Sequence, residues 1–140
     1  MGEPAGGGVR DVGQKNAGGG ATNHEKLAAI ARTRQWAHQK LLDRGSKVYS
    51  AFLQMESAAF ADGALPKKTK ELIAIGIAVR IDGESCMQWP IEQAATAGAS
   101  WREVLEAVEV GIEMGGGPAT VAARFALTVM EAVFADCPKD

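Results

Sequence analysis

From His24 onward the apolar residues recur every three or four positions, the spacing that places side chains on one face of an α-helix. Leu27, Ile30, Ala31 and the run Ala37 to Leu41 predict a first helix ending near Arg44-Gly45. Ser46 is placed to cap a second helix that carries Val48, Phe52, Met55 and Ala59 and stops at Asp62-Gly63. Pro66 suits the first turn of a third helix. Leu72, Ile73, Ile75, Gly76, Ile77 and Val79 make that helix apolar on nearly every side, which predicts a central position. A fourth helix begins between Ser85 and Pro90 and closes at Gly98. Ser100 followed by Glu103 has capping-box spacing for a fifth helix through Leu105, Val108 and Ile112. Pro118, after Gly115-Gly116-Gly117, opens a sixth helix to about Ala135. No stretch alternates polar and apolar for long enough to predict a strand, so the expected fold class is all-α.

The first 23 residues follow a different rule. Two Gly-Gly-Gly runs, Gly6 to Gly8 and Gly18 to Gly20, bracket a polar stretch with no aromatic residue. Such a segment buries too little surface to offset its ordering entropy, so residues 1–23 are expected to be a disordered tail before a single domain, 24–140. A phosphate-binding loop is a poor reading of these glycines, because no strand precedes them and no Gly-Lys-Ser/Thr follows.

Composition narrows the partners. With 15 basic and 17 acidic residues the net charge is −2, which is no footprint for nucleic acid or an anionic membrane. No window is apolar for the roughly 18 residues a membrane span needs. Two cysteines, Cys86 and Cys137, and no secretory signal point to a reducing, cytoplasmic setting without a structural disulfide. His24 and His38 are too few and too far apart in sequence to suggest a metal site, and no cofactor is called for.

Candidate chemistry concentrates between Lys70 and Ile91. Glu71 stands in the first turns of the apolar third helix, either as a solvated acid favoured by the helix dipole or as a buried base. Cys86 follows the loop-like Asp82-Gly83-Glu84-Ser85. In the first turn of a helix its thiol would face unpaired backbone N–H groups that favour the thiolate, while Asp82 and Glu84 would oppose it. A buried, inert cysteine is the alternative. Pro90 lacks an N–H and fits best as the first residue of the fourth helix, with Trp89 or Gln88 as its cap, which leaves Cys86 in the preceding loop. Trp36, Trp89 and Trp101 are expected in the core or an interface.

Three pieces in order carry a resemblance: Leu-Pro-Lys-Lys-Thr-Lys-Glu-Leu-Ile from Leu65, Ala94 to Ala107 around Gly98-Ala99-Ser100, and Met-Gly-Gly-Gly-Pro from Met114. Together they resemble the carboxymuconolactone decarboxylase and alkyl-hydroperoxidase-D-like superfamily, over about residues 46 to 135. The resemblance implies an all-helical domain built round a helical hairpin and assembled as trimers or hexamers. It also implies a redox site: a glutamate, then Cys-x-x-Cys-x-x-x-His on the next helix, whose second cysteine attacks peroxide or disulfide while the first resolves it. By position the glutamate falls on Glu71 and the attacking cysteine on Cys86, at the offset the family has, so the two are expected close together, with Glu71 on the inner face of the third helix ahead of its apolar run. The resolving cysteine falls on Gly83 and the histidine on Pro90, so those two roles are empty. A sulfenic acid on Cys86 would then need an outside thiol reductant, or Cys137.

Two functions follow as expectations. The first is a thiol-dependent peroxide-reducing antioxidant with Cys86 as nucleophile and Glu71 as general base through a water. The second is a non-catalytic oligomeric binding or scaffold protein, whose cavity holds a small apolar or acidic ligand against Glu71, Cys86 and Trp89.

Overall fold

The computed structural model describes residues 20–137 as six helices: α1 (Asn23–Asp43), α2 (Lys47–Phe60), α3 (Lys67–Ile81), α4 (Glu84–Thr96), α5 (Trp101–Gly115) and α6 (Gly117–Val133). No strand occurs among the described residues. The expected tail lies outside the described residues as far as residue 19; α1 begins at Asn23, with Thr22 and Glu25 forming a capping box.

Local signals place most of the helix ends. The Ser46 hydroxyl accepts from the Tyr49 N–H at 3.1 Å. Ser100 and Glu103 complete a capping box at 3.1 and 2.8 Å. Gly45 and Gly98, at φ 64° and 91°, end α1 and α4 with the left-handed turn that glycine tolerates.

The core lies among α3 to α6. Ile75 and Val79 from α3 meet Met87, Ile91 and Ala94 from α4, Val104 and Val108 from α5, and Ala122, Ala126, Val129 and Met130 from α6. The third helix is central to these four, as its composition predicts, though its outer flank leaves Ile73, Ile77 and Ile81 exposed. The crossing of α3 and α5 is close because Gly76 and Gly111 face each other: a Cβ on Gly111 would stand 2.7 Å from the Gly76 carbonyl oxygen. The α5–α6 corner is equally tight, since a Cβ on Gly115 would meet Ala119 Cβ at 2.5 Å and Arg80 Cδ at 3.0 Å.

Apart from Leu27 of α1, which is buried in the core cluster, the α1–α2 pair sits outside this core. Its Trp36, Val48, Phe52 and Met55 are all exposed. Trp36 is therefore no core residue of the single chain, and Trp89, 40 % exposed, is no core residue either.

The start of α4 corrects the expectation drawn from Pro90. The helix starts at Glu84, with Gly83 as its cap, and runs through Pro90. The Met87 N–H already bonds the Gly83 carbonyl at 2.9 Å. Starting at Pro90 would have spared the roughly 3 kcal/mol that an interior proline costs. The helical phase of Met87, Ile91 and Ala94, all fully buried, outweighs it. Burial of a side chain the size of Met or Ile stabilises by about 1.5–3 kcal/mol, and keeping Met87 in register with the other two requires an unbroken helix. Tertiary packing thus overrides the local preference.

Candidate functional site

Two places hold the candidate residues. The first is the α3–α4 corner. Asp82, at φ 58°, ends α3 in the left-handed region, and its N–H bonds the Ala78 carbonyl. Gly83 follows at once as the cap of α4, with no side chain to satisfy the first-turn N–H groups. Cys86 is the third residue of α4 and is exposed. It is thus in the helical first turn and not in a preceding loop. Its Sγ turns back over the cap: a Cβ on Gly83 would stand 3.2 Å from it. The only acid inside the first turn is Glu84. Cys137, after α6, is also exposed, and neither cysteine is in a disulfide.

The second place is a cavity of about 400 Å³ bounded by α2, α3 and α4. Leu53, Phe60 and Trp89 supply its apolar wall; Lys67, Glu71 and Gln93 supply polar groups. Glu71 lies on the inner face of α3, as its place before an apolar run predicts, with its side chain only 3 % exposed. Lys67, one turn earlier, donates to Glu71 Oε1 at 2.7 Å. Glu71 Oε2 is buried and has no hydrogen-bond partner. Trp89 is held from outside: the Arg34 guanidinium of α1 lies 4.6 Å above its ring and bonds Glu92 at 3.1 Å. Gln88, buried beneath, donates to Glu92 at 2.9 Å and to the Leu27 carbonyl at 3.2 Å, fastening α1 to α4. Cys86 does not line this cavity.

Sequence reading passed over Lys67, although its i, i+4 spacing to Glu71 was a usable signal. Gln93 and the support of Trp89 by Arg34 had no such signal, because they depend on how helices from distant parts of the chain meet. Both residues of the expected pair sit at the α3–α4 hairpin, Glu71 inside and Cys86 outside.

The family model for the carboxymuconolactone decarboxylase family matches residues 46–128. The chain belongs to the carboxymuconolactone decarboxylase family. Among solved structures, a family member from Legionella pneumophila superposes with a TM-score of 0.73 at 31 % identity, covering 77 % of this chain and 96 % of that one. A Thermotoga maritima family member, described as possibly involved in antioxidative response, gives 0.69 at 25 % identity, covering 75 % and 89 %. Protein 4 of the cox locus of Paracoccus denitrificans is 36 % identical over 89 residues, 64 % of this chain and 80 % of that protein. Membership of the carboxymuconolactone decarboxylase family and the six-helix fold therefore agree. Among the described residues there is no cluster of His, Cys, Asp and Glu that could hold a metal, and no helix long and apolar enough to cross a membrane.

Proposed function

We propose that this carboxymuconolactone decarboxylase family protein is a one-cysteine, thiol-dependent reductase of hydroperoxides. The observation that carries the reading is the exposed Cys86 thiol in the first turn of α4, above a glycine cap that leaves the helix-start N–H groups free. The description of the Thermotoga relative as possibly antioxidative supports it.

In the first step the Cys86 thiolate attacks the terminal peroxide oxygen. A sulfur–oxygen bond forms, the oxygen–oxygen bond breaks, and the alcohol leaves after taking one proton; Cys86 becomes a sulfenic acid. With Gly83 at the place of a resolving cysteine, an external thiol attacks the sulfenic sulfur and releases water. A second external thiol then frees Cys86 and leaves as the external disulfide. Glu71 bonds Lys67 and lines a cavity that Cys86 does not, so any proton it takes from the thiol passes through a molecule between them. No histidine stands at position 90, so turnover is expected to be slow beside relatives with the complete motif.

The test is peroxide consumption with dithiothreitol as reductant. Cys86→Ser abolishes it, and Cys137→Ser leaves it unchanged. If consumption survives Cys86→Ser, the thiol mechanism is wrong and a binding role for the fold replaces it.

We also propose that the protein acts as a homo-oligomer, a trimer or hexamer, in the cytoplasm. Support comes from the apolar side chains that one chain leaves exposed, among them Ile73, Ile77, Val110 and Met114 on α3 and α5. Light scattering that returns a monomer at micromolar concentration refutes the assembly.

A further inference from the structure

A single chain leaves two apolar surfaces open. The first is a channel of about 600 Å³ that runs along α3 and α5. Ile73, Ile77, Val110 and Met114 stand exposed along it. The second is on α2. No residue of this 14-residue helix is fully buried. Val48, Phe52 and Met55, at i, i+4 and i+7, form an exposed stripe on it. A helix this short owes most of its stability to the packing of its apolar face, so the stripe calls for a partner. The segments outside the described residues are poor candidates to cover either surface. Residues 1–19 hold only Met1, Val9 and Val12 as large apolar side chains, and 138–140 are Pro-Lys-Asp.

The two surfaces match each other in length and in charge. α3 and α5 run parallel: Lys68 pairs with Glu103, Gly76 faces Gly111, and Arg80 lies against Gly115. Glu106 therefore stands towards one end of the channel and Arg80 at the other, separated by the rise of nine helical residues, about 13.5 Å. On α2, Lys47 and Glu56 are nine residues apart as well. With α2 laid parallel to α3, Lys47 meets Glu106 and Glu56 meets Arg80. In that register Phe52 sits level with Gly111, above the close crossing of α3 and α5, and Met55 sits level with Met114. The reverse direction sets Lys47 against Arg80 and Glu56 against Glu106, like charge to like. Among the described residues none of these four has an ion-pair partner in its own chain. Charges at the rim of an interface fix register and partner more than they add affinity. Two channels placed face to face would also oppose Arg80 and Glu106, but they would leave the α2 stripe bare.

We propose that α2 of one copy docks in the α3–α5 channel of a second copy, parallel to α3, with Val48, Phe52 and Met55 against Ile73, Ile77 and Met114. The proposal rests on the reading of the protein as a homo-oligomer and names the two different faces that meet.

The experiment uses the full-length chain with Cys86→Ser and Cys137→Ser. Met55→Cys and Met114→Cys are placed on separate chains, one lengthened by a tag, and the two are co-expressed and treated with a short bis-maleimide. The expected product on a denaturing gel joins one long chain to one short chain, and each variant expressed alone stays uncross-linked. Products that join like to like would mean that channel packs on channel or α2 on α2. These, or the absence of any product, overturn the proposal. Phe52→Lys provides a second measurement. The position is exposed in the single chain, so circular dichroism should keep its helical signal. The concentration at which the oligomer dissociates should rise at least about tenfold, as loss of an aromatic anchor implies. Unchanged association also overturns the docking. Light scattering of the wild-type protein separates the two readings: a monomer removes the oligomer and the docking together, whereas an oligomer without the mixed cross-link removes the docking alone.

Discussion

Cys86 leans over Gly83: a Cβ built on the glycine would lie 3.2 Å from the cysteine Sγ and 3.0 Å from its Cβ. Gly83 adopts φ −104° and ψ 95°, which any L-residue can take. Disulfides hold Cβ atoms about 3.5–4.5 Å apart, so a second cysteine here needs about half an ångström or more of relief, which an exposed helix start can supply. Gly83→Cys, in a Cys137→Ser background, is therefore expected to close a disulfide with Cys86 under mild oxidation. Mass spectrometry would record the loss of two hydrogens, without a dimer on a non-reducing gel. Persistence of both free thiols would mean that the two positions do not face each other.

The Lys67–Glu71 pair is asymmetric, with the lysine side chain 38 % exposed and the glutamate 3 %. Removing the exposed partner strands the buried one. Lys67→Met is expected to destabilise the fold by about 1–3 kcal/mol, below the usual 3–5 for a fully buried pair because solvent already screens the lysine. Adding Glu71→Gln should recover part of that loss. Urea unfolding of the two single variants and the double variant measures the coupling; additive losses would show that the ion pair contributes nothing.

Glu103 sets a pH dependence. The Lys68 ammonium, which donates to its carboxylate at 2.8 Å, holds it below the ordinary 4.5, helped by the Ser100 backbone N–H. A carboxyl lowered in the folded state stabilises fully above its unfolded value and loses that contribution as the pH falls through the lowered folded value. The Glu103 side chain is 41 % exposed, so its Lys68 pair is worth about 1 kcal/mol or less. Glu103→Gln should lower the melting temperature at pH 7 and at pH 6 alike. The difference should shrink below pH 4.5 as the wild-type carboxyl protonates; a constant difference down to pH 2 would contradict this.

Gly111 tests the packing of α3 on α5. Alanine is favoured over glycine inside a helix by about 1 kcal/mol. At this position its Cβ would lie 2.7 Å from the Gly76 oxygen and 2.8 Å from Val79 Cβ. Overpacking of that kind costs about 1–3 kcal/mol, and the contact is with backbone that cannot swing aside. Gly111→Ala should be destabilising on balance by thermal melting, and a gain in stability would mean that the two helices are free to part.

Much of the fold was determined by the sequence alone, because its signals are local. Ser46, Ser100 with Glu103, Gly45 and Gly98 end helices through contacts within three or four residues, and those ends stand where the spacing puts them. The burial of Glu71 follows from its place at the head of an apolar helix, and the order of three short motifs indicates the family. Tertiary structure decided the rest. It carried α4 through Pro90, since the joint burial of Met87, Ile91 and Ala94 outweighs one proline, and so returned Cys86 to a helical first turn. It left Trp36 and Met55 exposed although their apolar character suits a core. It also set Glu71 in the wall of a cavity with Phe60 and Trp89, a cavity that Cys86 does not line. Spacing along the chain places two residues at one helical hairpin; which side of the hairpin each side chain occupies depends on the helices packed against it.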